Sequence, residues 1–299
     1  MCDLKISHKA VHLITTKVKN LTPAIEIHTW GGYGSQLYGL YLTYYLESRY
    51  PFRRTRIIVH TSGVTRRPSE ISKYKDFDSV EVDDFKGAPI EPLSIPKISR
   101  FRVRKLIRLA AIRFGFLSES NTAKDLHGMK PWVLALRGHY TEIQFEDESL
   151  GKLFLLLSSG TERDSLTLNS LGIQYRLGDL VTLENKGPVR PELVAQQVNS
   201  LLNLHKFEIK IYSDSGELAL KLLSPLINSS VNMKIVEATA EQTINMLSQE
   251  EFFIGTSSKI SVWVAVFRSL VLGRNGTYMP QSFEKELRAH GVTSQINYF

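Results

Sequence analysis

A strand followed by a helix recurs four times in the second half of the chain, and this alternation constrains the fold more than any other feature. Each short apolar run ends in polar residues or glycine, and a stretch of helical length follows it. Strands joined by helices run parallel, because the helix returns the chain along the face of the sheet. The sequence therefore predicts a parallel sheet covered on both faces, with strands at 172–175, 207–212, 233–236 and 252–254 and helices at 191–205, 216–223, 240–248 and 260–268.

The first half predicts a second α/β domain with a less regular pattern. A strand at 24–29 is followed by the glycine-rich segment WGGYGSQ and by a helix at 37–50. Further strands are predicted at 56–60, 80–82 and 132–136. A chain of 299 residues is long for one core, which favours two domains. We place them at 1–160 and 161–299, with a tail that either stays in the second domain or returns to the first.

The composition excludes several classes of protein. Hydrophobic residues make up 42% of the chain and charged residues 22%, as in ordinary globular proteins. Cys2 is the single cysteine, so neither a disulfide framework nor a Cys-rich metal site can form within the chain. No apolar stretch has the features of a signal peptide or a membrane span. We therefore expect a cytoplasmic protein, with peripheral association at the inner face of the membrane as an option.

The net charge of +7 arises largely in one segment. Between Pro92 and Ser118 the chain has no acidic residue and has these basic ones: Lys97, Arg100, Arg102, Arg104, Lys105, Arg108 and Arg113. A helix at 101–114 would carry most of them. It is either a solvated helix packed on its own domain or a surface for an anionic partner, a lipid surface or a pyrophosphate-linked acceptor. Its acceptor-side or membrane-facing candidates are Arg102, Arg104, Lys105 and Arg108. Nucleic acid is not an expected partner, because no aromatic platform or reader motif accompanies the charge.

Polar loops follow three of the strands predicted in the second half. Arg176 and Asp179 lie in the second half of the stretch LGIQYRLGDL (171–180). Residues 213–215 read SDS, and residues 255–261 read GTSSKIS. An Arg together with hydroxyls and backbone N–H groups at a helix start can bind phosphate without a metal. The alternative is that the serines and Asp214 only cap helices, and that Arg176 pairs with a nearby carboxylate.

Five segments, in the order GGYGSQ, RGHYTEIQF, QYRLGD, IYSDS and FFIGTSSKISVWVAVF, carry a resemblance to a known family. They resemble the motifs of the bacterial α-1,2-fucosyltransferases and, more distantly, those of the protein O-fucosyltransferases and α-1,6-fucosyltransferases. The resemblance spans residues 25–280. It implies a GT-B fold, with two Rossmann-like domains facing across a cleft. It also implies inverting glycosyl transfer from a nucleotide sugar, without a metal or other cofactor.

The resemblance also implies roles for individual residues. Arg176 would contact the donor pyrophosphate and Asp179 would brace the turn after the strand, which makes them the catalytic candidates. The glycine-rich segment would reach the donor from the other domain. The donor-binding candidates are Gly31, Gly32, Gly34, Ser35, Gln36, Ser213, Asp214, Thr256, Ser257, Ser258 and Ser261.

Three residues depart from the family pattern. Ser35 stands where the family has Asn, Gln174 where it has His, and Ser215 where it has a second Asp. GDP-fucose is the expected donor, and a hydroxyl of a bacterial surface glycan (O-antigen or capsule), including a lipid-linked one, is the expected acceptor. The alternatives are another sugar nucleotide and an inactive relative that binds a glycan or nucleotide. Asp179, Glu184 and Glu26 remain alternatives for the general base.

Overall fold

The computed structural model describes residues 22–61, 68–75, 80–85, 106, 109–119, 126, 128–158, 166–181, 187–228 and 231–299. The side chains of Phe85, Ser118, Glu119 and Asp179 lie outside this description. Contacts within the chain divide it into two units, Met1–Ser149 and Leu150–Phe299. The division falls inside helix α2 (Asp147–Leu157).

The first unit has a five-stranded sheet in the spatial order β3-β2-β1-β5-β4, and all of its strand pairs are parallel. Helix α1 (Tyr33–Arg49) packs against β1 and β2. Gly39 allows this close packing, because a Cβ there would lie 2.9 Å from Thr29 Cγ2. The strands are β1 (Ile25–Trp30), β2 (Thr55–His60), β3 (Val80–Phe85), β4 (Leu117–Glu119) and β5 (Ala135–Arg137).

Most of the glycine-rich segment is helical. Gly31 turns the chain out of β1 with a φ of +93°, a conformation that glycine adopts easily. Helix α1 then begins at Tyr33, one turn before the predicted start at Leu37. The prediction of a loop over 33–36 is therefore wrong. The reason is tertiary, since Glu70 bonds the first backbone N–H of the helix.

The second unit has a six-stranded sheet in the order β11-β10-β9-β6-β7-β8, again with every strand pair parallel. Counted from β6, this is the 3-2-1-4-5-6 order of the Rossmann fold. The strands are β6 (Thr167–Gln174), β7 (Glu208–Tyr212), β8 (Met233–Ile235), β9 (Glu250–Ile254), β10 (Thr277–Met279) and β11 (Ile296–Tyr298). The helices after α2 are α3 (Pro191–Leu202), α4 (Gly216–Leu223), α5 (Ala240–Gln249), α6 (Lys259–Val266) and α7 (Glu284–Ala289).

The α/β fold class with two Rossmann-like units is confirmed. The four predicted strand–helix repeats of the second half are present, although β6 begins at Thr167, five residues before the predicted start at Gly172. Three short strands were not predicted: β4, β10 and β11. Each has three residues, too few to show a period, and none belongs to the strand–helix repeats that revealed the equally short β8. The C-terminal strand β11 pairs with β10 and completes the second sheet.

Candidate functional site

The topology of the second sheet places the three polar loops side by side, because they follow the neighbouring strands β9, β6 and β7. Strands β6 and β9 are neighbours in the centre of the sheet, where the strand order reverses. Connections leave the two strands in opposite directions at such a point, which opens a crevice at their carboxyl ends where ligands bind. Arg176 follows β6 and Thr256 follows β9, so both lie at this crevice.

Thr256 joins the two loops by hydrogen bonds. Its hydroxyl accepts from the backbone N–H of Arg176 at 3.0 Å and donates to the carbonyl oxygen of Gln174 at 2.8 Å. Thr256 is fully buried, so both hydrogen bonds are shielded from water. It fixes the backbone from which the Arg176 side chain extends.

Gln174, at the position of the family histidine, has a defined role in this network. Its side-chain oxygen accepts from the Ser261 hydroxyl at 2.7 Å. Ser261 in turn accepts from the backbone N–H of Thr256 at 3.0 Å. An amide oxygen is a permanent acceptor, so Gln174 ties the end of β6 to the first turn of α6 without a titrating group.

Asp214 braces the turn after β6. Its carboxylate accepts from the backbone N–H groups of Leu177 and Gly178 at 2.9 and 3.1 Å. A Cβ on Gly178 would lie 2.2 Å from Asp214 Oδ2, which explains the glycine. Asp179, expected to brace this turn, lies in the 3₁₀ helix Gly178–Val181, and its side chain is outside the described structure. In the adjacent loop, Ser213 accepts from the backbone N–H of Ser215 at 3.1 Å.

Helix α6 begins at the same crevice. Ser258 is its N-cap, and the Ser258 hydroxyl accepts from the backbone N–H of Ile260 at 3.1 Å. The hydroxyls of Thr256, Ser258 and Ser261 thus all make bonds within the chain, which favours a role in shaping the loop. An anion here would meet the partial positive charge of the helix N-terminus.

Lys259, the first residue of α6, was not singled out from the sequence. Its ammonium donates to Glu286 Oε1 at 2.5 Å, and His290 Nε2 lies 3.6 Å from the same oxygen. Burial raises the pKa of Glu286, but the contacts with His290 and Lys259 outweigh burial and lower it overall. Lys259 could have been noticed in the sequence, because a lysine in the first turn of a helix is unfavourable for the helix dipole.

The first unit has its own switch point, between β1 and β5. The Trp30 ring, at the end of β1, lies 5.0 Å from the His139 ring, edge to face. His28 Nδ1 lies 2.9 Å from His60 Nε2. Burial, followed by the charges of His28 and Arg137, lowers the pKa of His60 to about 4. The cluster was not predicted from the sequence, although alternate residues of β1, the end of β2 and His139 after β5 supply it.

The glycine-rich segment is held to the loop that precedes the 3₁₀ helix Ser72–Tyr74. Gln36 is fully buried, donates to the carbonyl oxygens of Gly31 (2.9 Å) and Pro68 (3.0 Å), and accepts from the backbone N–H of Glu70 (2.9 Å). The Glu70 carboxylate accepts from the backbone N–H of Tyr33 at 3.1 Å. Gly32 is the N-cap of α1, and Gly34 and Ser35 lie in its first turn. Contact of this segment with a donor stays a prediction.

The basic candidates Arg102, Arg104, Lys105 and Arg108 lie outside the described residues. Within the described ranges, no group of three or more His, Cys, Asp or Glu side chains could hold a metal ion. The described helices also include none that is long and apolar enough to span a bilayer.

Comparison with known proteins gives structural similarity only. No protein-family model matches the chain, and no curated protein matches it. The chain is similar to E. coli ADP-heptose LPS heptosyltransferase II, with 11% identity, a TM-score of 0.43, and coverage of 92% of this chain and 90% of that one. E. coli heptosyltransferase WaaC with ADP has 13% identity and a TM-score of 0.45, with coverage of 92% of this chain and 92% of that one. POFUT1 in complex with GDP has 10% identity and a TM-score of 0.40, with coverage of 86% of this chain and 98% of that one.

The fold and the site define a two-unit, parallel α/β protein whose second unit presents a candidate anion site at its switch point. At the identities found, a more particular assignment has to rest on the residues of that site.

Proposed function

We propose that the protein is an inverting, metal-independent glycosyltransferase that transfers fucose from GDP-fucose to a hydroxyl of a bacterial surface glycan. The observation that carries the proposal is the hydrogen bond from the Arg176 backbone N–H to the hydroxyl of Thr256, two residues before the N-cap of α6, at the switch point of the second sheet. These residues belong to two segments of the fucosyltransferase-like pattern that are 80 positions apart in the chain. Fucose as the sugar and guanine as the nucleobase are assigned from the sequence resemblance.

The site suits a reaction in which a nucleoside diphosphate departs. Glycosyl transfer builds positive charge on the anomeric carbon and negative charge on the leaving diphosphate. Arg176 can bind two phosphate oxygens with its planar guanidinium, and the N-terminus of α6 adds a fixed dipole. Charge that is already oriented before the reaction usually supplies the largest share of catalysis.

A general base must remove the proton of the acceptor hydroxyl. Glu26 is the one candidate with a described side chain, and its Oε2 lies 3.5 Å from His28 Nε2. Asp179 and Glu184 stay equal alternatives. Alanine variants of all three would separate them, because loss of the base lowers kcat and removes the acidic limb of the pH–rate profile, while donor affinity is retained.

Thermal unfolding with nucleoside diphosphates tests the donor assignment. GDP at about one hundred times its dissociation constant should stabilise the protein by about 2.7 kcal/mol. UDP, ADP and CMP at the same concentration serve as comparisons, and EDTA should leave the GDP effect unchanged. Stabilisation by UDP or ADP but not by GDP would contradict guanine as the nucleobase of the donor and would favour another sugar nucleotide.

An inactive binding relative is the second candidate, and it is favoured by the departures Ser35, Gln174 and Ser215. The two candidates differ in one measurement. An enzyme should release GDP slowly from GDP-fucose even with water as the acceptor, whereas a binding protein should bind GDP with no turnover. Binding without turnover in the presence of a panel of glycan acceptors would favour the binding protein.

A further inference from the structure

An apolar surface is exposed on the first unit, on residues that in the sequence lie within or soon after the basic segment. Exposed apolar side chains that lie together on a folded protein usually mark a surface that meets a partner, whereas single ones are normal. Leu106 is 65% exposed, Phe114 63% and Trp132 50%. We call the following exposed residues the apolar patch: Leu106, Leu109, Ile112, Phe114, Phe116 and Trp132.

Local structure groups the members of the patch. Leu106 and residues 109–113 are helical, and a spacing of three puts Leu106, Leu109 and Ile112 on one side of a helix. Trp132 donates its indole N–H to the carbonyl oxygen of Phe114 at 2.8 Å. The backbone N–H of Leu134 donates to the carbonyl oxygen of Phe116, also at 2.8 Å. The aromatic residues therefore come from two chain segments that run side by side.

The charge of this region selects the kind of partner. Seven basic residues and no acidic one lie between Pro92 and Ser118, and Arg113 is exposed in the described helix. A second copy of the chain would bring two such segments together, and like charges oppose that contact. An anionic lipid surface offers negative headgroups above an apolar interior. Leucine and aromatic residues interleaved with Lys and Arg are the composition that interfacial segments use.

We propose that the apolar patch binds an anionic lipid surface, to which the positive charge of its sequence segment attracts the protein. The apolar side chains enter the boundary between headgroups and acyl chains, and the charge of the segment favours anionic headgroups. This inference is independent of the proposed reaction, since it uses none of the residues of the candidate donor site. Failure of either proposal leaves the other standing.

Vesicle flotation of the full chain tests the lipid requirement. Binding should need phosphatidylglycerol in phosphatidylcholine vesicles and should fall steeply as salt is raised, because screening shortens the range of the attraction. Equal binding to pure phosphatidylcholine vesicles, or no binding to either, would overturn the proposal. Self-association without lipid that the patch variants abolish would assign the surface to a second copy instead.

Paired substitutions test the apolar patch. Leu109→Ser with Phe114→Ser should weaken partitioning about tenfold or more, because two inserted side chains are lost. The matched control is Leu168→Ser with Leu204→Ser, two side chains of the second unit that are 66% and 75% exposed. The control should bind like wild type, and equal losses in the two pairs would contradict the proposal.

A charge-matched pair tests the basic residues. Replacing Arg102, Arg104, Lys105 and Arg108 by Gln should weaken partitioning about a hundredfold or more. The control removes the same charge from exposed positions of the second unit, with Gln in place of Lys206, Lys221, Lys234 and Lys285. An equal effect of the two variants would show that net charge alone acts, against the proposed surface.

Trp132 gives a direct readout in the unmodified protein. Of the three tryptophans, Trp263 is buried and Trp30 is half-buried, so Trp132 is the one best placed to respond to lipid. Brominated acyl chains should quench its fluorescence when vesicles bind, and Trp132→Phe should remove most of that quenching. Binding without any quenching would place the patch away from the bilayer.

Discussion

Gln174 shows at the scale of a single residue how an uncharged side chain joins two elements of the site. A histidine at this position could titrate, whereas the amide oxygen of Gln174 accepts from Ser261 at any pH. Gln174 therefore supplies a permanent acceptor between β6 and α6, but it cannot take up or release a proton there.

Arg176→Lys should lower turnover by about a hundredfold or more, because lysine keeps the charge but loses the two parallel donors of the guanidinium. Steady-state kinetics with GDP-fucose would measure the loss. Arg190→Lys, at an exposed arginine on the N-cap of α3, is the matched control and should have near-normal kinetics. Near-normal turnover in Arg176→Lys would remove Arg176 from the diphosphate site.

His60 should make stability depend on pH in the acid range. Burial lowers its pKa from 6.5 to about 4, so between these values the unfolded chain binds a proton that the folded chain does not. The free energy of unfolding should therefore fall as pH falls through this window. Urea unfolding at several pH values would measure the slope, and His60→Gln should flatten it. An unchanged slope in the variant would contradict this assignment.

At the scale of the elements, the turn after β6 is built by a neighbouring loop. Asp214, which follows β7, supplies the acceptor for Leu177 and Gly178, and Gly178 leaves the space that the carboxylate needs. Parallel strands β6 and β7 are paired through Gln174 and Tyr212, which brings their carboxyl ends together. The position of Arg176 therefore depends on two loops that flank it.

Gly178→Ala should disturb this turn, because the new methyl group would displace the Asp214 carboxylate and leave two backbone N–H groups without it. We expect a loss of about 1–3 kcal/mol in the free energy of unfolding and weaker GDP binding. Gly187→Ala is the control, since a Cβ there meets no atom within 4 Å. Asp214→Asn should be milder than Asp214→Ala, because the amide keeps an acceptor oxygen. The reverse order would show that the carboxylate does not act through these bonds.

At the scale of the whole molecule, the two units divide the observed chemistry. The second unit contains the crevice with Arg176 and the start of α6, while the first contains the His28–His60 pair and the apolar patch. Each unit has its own parallel sheet, so each can present residues at the carboxyl ends of its own strands. The proposed diphosphate site and the proposed lipid surface therefore fall in different units.

Hydrogen exchange on the full chain should show this division. GDP should slow exchange in peptides that cover 176–178 and 256–261, because bound phosphates order these loops. Anionic vesicles should instead slow exchange at 109–116. Peptides over 31–36 report separately whether the glycine-rich segment contacts the donor. Protection by GDP that spares 176–178 would contradict the site proposed here.

Much of the fold was predictable from local pattern. Strand–helix alternation in the second half predicted the strands from β6 to β9 and the helices between them, since burial and amphipathic period are local properties. The strands β4, β10 and β11 were missed because three residues show no period and these strands lie outside the four strand–helix repeats that revealed the equally short β8. Helix α1 was predicted one turn short, because the Glu70 contact that supports its first turn is distant in sequence.

The sequence by itself determined that the chain forms parallel α/β units and that Arg176, Asp214 and Thr256 each follow a strand. Only the tertiary structure decided which of these residues meet. Arg176 bonds Thr256 across 80 positions, and Leu177 bonds Asp214 across 37. These contacts depend on the order of strands in the sheet. Local patterns do not encode that order, because it is selected by how the helices and strands pack together.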